Sequence, residues 1–392
     1  MKNQEMRLPL HRVVKMLEKI VPSQVKDQGR HLVMYLAGKP GGGKTQMLEW
    51  LAKNNSWGFA MRNMGLSRME ELGGIPELIK VDVNGVEEIH TKWSVPELVS
   101  ELRNKATKSD VVLCLLDDWH LAGTSTQPLG YELFSSHSLK GYDVPKNVVF
   151  VLAGNETSLA GAKTQFSAIL NRVIKAPIEA SFDYWRDNYA YTQGVNDSII
   201  AFLNKKENRR FFHEEEDRMS PWGSPRSWTG LSSTLDSLKA ANFNINAAEM
   251  TILCSSHVGQ KAGSEFSTFH NIYHSFNTEQ IFKTGSFKIP TDAAERYAFV
   301  TAVSSELFNL IDNAEEDSDA KIKFDVNNKK YIKTYASIIT AVYADYKELA
   351  MVGLNSILKK SKKLLQASFS CGFFDAEIMK AVMRDSKKLA GN

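Results

Sequence analysis

The segment Gly38-Lys39-Pro40-Gly41-Gly42-Gly43-Lys44-Thr45 constrains this chain more than any other. It matches the pattern G-x4-G-K-S/T and stands directly behind an apolar run, Leu32 to Ala37. A loop of this composition suits a phosphate chain. Consecutive glycines let backbone N–H groups curl round an anion, Lys44 brings a cation to the β and γ oxygens, and the Thr45 hydroxyl is a ligand for Mg²⁺. Met47, Leu48 and Leu51 then fall on one face of a helix whose N-terminus points at the phosphates, and Gln46 in its first turn is counted with the loop. An ordinary Gly-rich turn is the competing reading, and the strand before and helix after weigh against it.

The first half of the chain alternates short β-rich runs with helical spacing, which predicts a parallel sheet covered by helices. Expected strands are His31–Ala37, Gly58–Arg62, Asp110–Leu116, Val148–Ala153 and Val173–Pro177. Leu10, Val13, Val14, Leu17 and Val21 predict a lead-in helix. An Asn84-Gly85 turn inside Leu78 to Trp93 predicts a β-hairpin inserted ahead of a helix over Pro96–Leu102. From about Ser181 helical spacing takes over. Asn204 to Pro225, with Glu214-Glu215-Glu216-Asp217, is expected as a solvated connector, and Asp312 to Asn328 as another. The expected division is therefore 1–180 for a nucleotide-binding core with a hairpin at about 78–93, 181–300 for a helical lid, and 301–392 for a C-terminal helical region.

With 392 residues, 43% hydrophobic, 24% charged and a net charge of +3, the chain reads as globular with two or three domains. No apolar run approaches the roughly 20 residues a membrane span needs. The polar N-terminus, Met1 to Arg12, does not read as a secretory signal, so a cytoplasmic location is expected. Cys114, Cys254 and Cys371 are far apart and read as core thiols rather than as a disulfide framework or zinc site.

A phosphate loop needs an acid to order the metal and a group to activate water. Val111 to Leu116 is an apolar strand that ends in Asp117-Asp118, about 70 residues after the loop. Asp117 is expected beside the loop strand, ordering Mg²⁺ with Thr45, and Asp118 facing the γ-phosphate as general base. Val149 to Gly154 is a second buried run ending in Asn155, which either holds the attacking water or simply occupies a turn. Arg172 in Leu170-Asn171-Arg172-Val173 stands before a short strand, near the sheet's end and the surface. There it either reaches a neighbouring subunit's γ-phosphate or makes a surface ion pair. Ser224-Pro225-Arg226 opens a helix, with Arg226 in its first turn.

In this order, the loop, Asp117-Asp118, Asn155, Leu170-Asn171-Arg172 and Ser224-Pro225-Arg226 resemble the parts of an AAA+ ATPase of the MoxR-like branch, in the versions carried by phages and prophages. In that family the five parts are Walker A, Walker B, sensor 1, arginine finger and sensor 2. The resemblance covers roughly residues 10 to 300, including Glu71-Leu72-Gly73-Gly74-Ile75-Pro76 and Val258 to Phe266, and is weak past Thr301. It implies a P-loop αβα core with a helical lid, ATP and Mg²⁺ as cofactors, and a homo-oligomeric ring, usually hexameric. Arg172 would then act in trans and Arg226 in cis. It also implies a chaperone-like action on a protein target, often beside a von Willebrand factor A domain protein, and host cytoplasm if the gene is phage-borne. One departure stands out: the family's Asp-Glu is Asp117-Asp118 here, so the base is one methylene shorter.

His270 and His274 have the i, i+4 spacing of a metal-binding helix but lack a third ligand, Lys359, Lys360, Lys362 and Lys363 read better as a solvated helix face than as a nucleic-acid grip, and Phe211, Phe212, Trp222 and Trp228 read as lid packing. Two rivals to the remodelling ATPase remain at this point. One is a nucleic-acid-stimulated translocase or helicase loader of the same fold, with nucleic acid possible but not favoured, and the other is a nucleotide-gated scaffold with little turnover.

Overall fold

Uninterrupted apolar strands need cover on both faces, and the first half of the chain supplies it. The structure, a computed structural model, describes residues 6–26, 32–155, 171–213, 220–312 and 326–390. His31, Leu170 and both acidic runs fall outside the described residues. The chain divides into two units, Met1–Ser181 and Phe182–Asn392.

In the first unit the elements run β1 (Leu8–Pro9), α1 (Leu10–Lys26), β2 (Val33–Ala37), α2 (Lys44–Asn54), β3 (Gly58–Asn63) and α3 (Met69–Gly73). They continue through β4 (Pro76–Val83), β5 (Val86–Trp93), α4 (Glu97–Ala106), β6 (Val112–Asp117), α5 (Thr126–Ser136), β7 (Ser138–Leu139), β8 (Tyr142–Asp143), β9 (Val148–Gly154) and β10 (Val173–Glu179). Six strands form one parallel sheet in the order β1-β10-β2-β9-β6-β3.

Strand periodicity sorts the side chains between two layers. Tyr35, Cys114, Leu116, Phe150 and Leu152 pack under Leu98 and Leu102 of α4 and Leu129 and Leu133 of α5. Met34, Leu36, Leu113, Leu115 and Val151 pack under Leu10, Val13, Val14, Leu17 and Val21 of α1 and Leu48 and Leu51 of α2. The expected class, an αβα parallel-sheet core followed by a helical region, is what the chain adopts. β4 and β5 pair only with each other, turning at Asn84-Gly85, as the inserted hairpin expected there.

Strand order corrects one expectation. The β6 strand that ends in Asp117 is not beside β2, because β9 lies between them.

The second unit is helical, with helices at Asp197–Asn204, Pro225–Ala240, Ala247–Val258, Gln260–Ser275, Ala293–Asp312, Val326–Asp345, Lys347–Lys360 and Lys362–Ser370 among others. Helix Ala293–Asp312 runs across the division expected near residue 300. The stretch expected as a solvated connector is partly core: Lys206–Phe212 winds into a 3₁₀ helix that buries Phe211 and Phe212, and Trp228 Nε1 donates to Phe211 O at 2.8 Å. The aromatic packing expected of Phe211, Phe212 and Trp228 thus forms inside a stretch whose charged residues had marked it as solvated.

The lysine cluster is corrected in part, for Lys362 and Lys363 are exposed as a solvated face requires. Ser361 breaks the stretch into two helices, Lys360 Nζ meets Asp197 Oδ1 at 2.5 Å, and Lys359 Nζ meets Asp187 Oδ2 at 3.2 Å. Where Gly263 passes Ser255, a built Cβ would stand 2.3 Å from the Ser255 backbone nitrogen, so the two neighbouring helices meet backbone to backbone.

His270 is buried, bonded to Ser198 Oγ through Nδ1 at 2.8 Å, and held down to about 3 by burial and then by the charge of His274. Among the described residues no group of three or more His, Cys, Asp or Glu is placed to hold a metal, so the His270–His274 pair gains no third ligand. Its consequence is for stability. The folded chain refuses a proton that the unfolded chain accepts below 6.5, so stability falls as pH drops through that value and continues to fall toward about 3. The slope from this group approaches about 1.4 kcal/mol per pH unit. In urea unfolding between about pH 4 and 7, His270→Leu is expected to flatten the acid loss of stability. An unchanged slope would mean that His270 is not the group responsible.

Candidate functional site

Three strand ends of the first unit, those of β2, β6 and β9, carry the residues singled out in the sequence except Arg172 and Arg226. The loop leaves β2 at Gly38, whose N–H is bonded to Gly154 O at 3.1 Å. Gly41 (φ 72°) and Gly43 (φ 87°) take left-handed backbone that side-chain-bearing residues rarely adopt, and Gly43 caps α2 without a side chain. First-turn N–H groups of α2 are thereby left for an external acceptor, at the positive end of the helix.

Lys44, 9% exposed, turns back into the loop and donates from Nζ to Gly38 O at 2.8 Å and Lys39 O at 3.0 Å. An ammonium held in the mouth of the loop is placed for phosphate oxygens. Lys39 is half-buried, and Pro40 and Gln46 are exposed.

Thr45 Oγ1 donates to Asp117 Oδ2 at 2.7 Å across the end of β9. Neighbouring strands stand about 4.8 Å apart, so this bond spans a β2–β6 separation of roughly 10 Å by using a side chain from α2. Hydroxyl and carboxylate oxygens in contact form a hard donor pair of the kind Mg²⁺ takes, and they fit that ion. Asp117 Oδ1 also accepts from Asp118 N at 2.9 Å.

Asp118 follows in left-handed backbone, φ 49° and ψ 37°, where the chain leaves the sheet. Its Oδ2 accepts from Asn63 Nδ2 at 2.9 Å. Asn63, the last residue of β3, was not found by sequence reasoning. Its Oδ1 accepts from Gly65 N at 3.0 Å and Leu66 N at 3.1 Å, so one amide ties the β3 exit to the Asp118 carboxylate. A second unforeseen residue is His120, whose Nδ1 accepts from Asn155 N at 3.1 Å. Burial pushes the His120 pKa down and Lys44 adds to that, while Asp118 and Asp117 oppose it.

Asn155, half-buried at the end of β9, is thus brought into the group. Arg172 is not. It is exposed, with its guanidinium carbon 5.2 Å from the Tyr131 ring centroid. The register pairs Val173 with Val33, at the amino end of β2, whereas the loop leaves the carboxyl end. At about 3.3 Å per residue that separates Arg172 from its own loop by roughly 16 Å. Arg226 belongs to the other unit and is exposed in the first turn of Pro225–Ala240, which Ser224 caps by accepting from Ser227 N at 3.1 Å.

Asn63→Ala is expected to lower the stability of the first unit by roughly 1–2 kcal/mol and to speed amide hydrogen exchange at Gly65 and Leu66. Unchanged exchange at both amides would show that the side chain does not hold this turn.

No family model matches the chain, and no curated protein is similar to it. Among solved structures, a mutant RuvB from Thermotoga maritima is 14% identical over 71% of this chain and 76% of that one, with a TM-score of 0.38. Cdc6p from Pyrobaculum aerophilum is 13% identical over 91% of this chain and 87% of that one, also with a TM-score of 0.38. Scores of this size describe a likeness in outline and no more.

Proposed function

We propose that the chain binds ATP with Mg²⁺ at the carboxyl ends of β2, β6 and β9 and hydrolyses it to ADP and phosphate. On this reading it is a ring-forming AAA+ ATPase of the MoxR-like kind that remodels or activates a protein partner. The observation that carries the nucleotide part is the Thr45–Asp117 hydrogen bond at the mouth of a loop that already encloses the Lys44 ammonium. The remodelling part rests on the order of motifs in the sequence.

Each residue has a task on this reading. Gly38 to Thr45 wrap the phosphates with N–H groups, and Lys44 offsets β and γ charge. Thr45 and Asp117 would hold Mg²⁺, which when bound draws charge from the phosphate oxygens. Asp118 takes the proton of the attacking water, and Asn155 orients that water or contacts the γ-phosphate. Arg172, separated from its own loop by the length of β2, serves a neighbouring subunit's site. Arg226 passes nucleotide state to the helical unit. A homo-oligomeric, hexameric ring and a von Willebrand factor A domain protein as partner complete the proposal.

One observation favours the second reading, a nucleotide-gated scaffold: the shorter Asp118 carboxylate is already engaged by Asn63. By contrast, two of the four lysines that a nucleic-acid reading would use are committed to ion pairs.

Lys44→Ala is expected to abolish binding of a fluorescent ATP analogue. Asp118→Asn should keep that binding and lose turnover by about a hundredfold or more. Wild-type turnover in Asp118→Asn would remove that residue from the mechanism, and a ring that persists in ATP with negligible phosphate release from the wild type would favour the scaffold.

The trans role of Arg172 has its own test. Doping the wild type with Arg172→Ala is expected to depress ATPase activity more steeply than the doped fraction, with a per-subunit rate that climbs with protein concentration. Loss merely proportional to the doped fraction would place each active site within one chain.

A further inference from the structure

His120 sits where the turn after β6 meets the end of β9, and neither element was expected to carry it. The turn is rigid for identifiable reasons. Trp119 is fully buried, edge-on to Phe134 with ring centroids 5.8 Å apart, and a Cβ at Gly130 would stand 2.5 Å from its ring. Leu121 N bonds back to Asp118 O at 2.8 Å and Ala122 N to Trp119 O at 3.1 Å. Gln127 Nε2 then holds Ala122 O at 2.9 Å. His120 is carried by this fixed turn against Gly154, where an added Cβ would lie 3.0 Å from Nδ1 and 2.5 Å from the Tyr35 hydroxyl. The ring and the strand end are therefore in close contact at Gly154. Among the described residues, the ring's hydrogen bond there is acceptance of the Asn155 N–H at 3.1 Å.

We infer that His120 is a positioning residue for the hydrolytic step: by accepting the Asn155 N–H at Nδ1 it sets the backbone that carries the Asn155 amide at one fixed spacing from Asp118. The inference rests on the reading of this site as an ATPase and concerns how two of its groups are kept in register. A ring that accepts at Nδ1 carries its proton on Nε2, and burial, which holds the group below its ordinary range, keeps it in that neutral form. The role belongs to the acceptor atom and not to ring bulk. Asn155 follows β9 and Asp118 follows β6, and His120 links the two chain exits through the backbone N–H of Asn155. A displacement of about 1 Å between groups that share one water costs rate and leaves binding of the nucleotide intact.

The test is a series at position 120 in the full chain, read as kcat, KM and affinity for a fluorescent ATP analogue. His120→Leu fills the space without an acceptor; kcat is expected to fall about tenfold or more, with affinity within about threefold of wild type. His120→Asn puts an oxygen the same number of bonds from Cβ as Nδ1 and is expected to restore kcat to within about threefold of wild type. His120→Gln reaches one bond further and should stay low. His120→Leu retaining wild-type kcat overturns the inference, as does His120→Asn being as slow as His120→Leu and His120→Gln. Should His120→Leu fail to melt cooperatively, the Asn and Gln variants decide, and equal rates in those two overturn it. A wild type that neither binds nor hydrolyses ATP overturns the ATPase reading and this inference with it, whereas an active wild type with a flat series overturns this inference alone.

Discussion

The Thr45–Asp117 hydrogen bond joins two strands that do not touch. β2 delivers the glycine loop and β6 delivers the carboxylates, but β9 runs between them. Three features bring the bond about. The parallel register keeps Ala37, Gly154 and Leu116 at the same end of the sheet. The left-handed Gly43 starts α2 immediately, so Thr45 projects from its first turn. The backbone of Asp118 then turns back on itself and leaves Asp117 at the strand's end. Loss of any one would separate the donor from the acceptor. Because β9 is enclosed by that bond, its own terminus, Asn155, lies inside the group of side chains.

Local chemistry made much of this legible from sequence. The glycine loop, the apolar strands, the α1 face from Leu10 to Val21 and the Asn84-Gly85 hairpin are signals carried within a dozen residues, and each element formed where it was read. Strand order is not a local property, which is why Asp117 was expected beside β2. The same limit hid Asn63 and His120. Asn63 reads as an ordinary turn residue after a short strand, and only its partner 55 positions away gives it meaning. His120 follows two aspartates and a tryptophan, and its partner is 35 positions on. In the connector, Phe211 and Phe212 pack as their aromatic character suggested, with Trp228 and Phe202 as partners elsewhere in the chain, while the charged residues around them led the stretch as a whole to be read as solvated.

In the helical unit, basic residues are used to close structure. Arg186, with 3% of its side chain exposed, bonds Asp187 at 2.7 Å, Asp183 at 2.9 Å and Asn204 at 2.7 Å, and Lys359 shares Asp187. Lys360 is held by Asp197 while lying 4.9 Å from the Phe308 ring. Carboxylates offset the loss of water around cations placed this deep, and removing one partner would leave the other buried and unpaired. A lysine in such a pair is poorly placed to release counterions from a phosphate backbone. Counting lysines in the sequence therefore overstates what this face can offer to nucleic acid.

Sheet geometry also decides what Arg172 can do. A parallel strand enters at one edge and leaves at the other, so a residue just before β10 lies at the edge opposite a loop just after β2. Side chains do not cross that length: an arginine reaches about 7 Å from its Cα, against roughly 16 Å along the strand. Within one chain, then, the Arg172 guanidinium does not reach the phosphate loop itself. Its contact with Tyr131 leaves it exposed on the surface of its own unit. That separation is why a role in trans is proposed for Arg172: a group that completes a neighbour's site must sit away from its own.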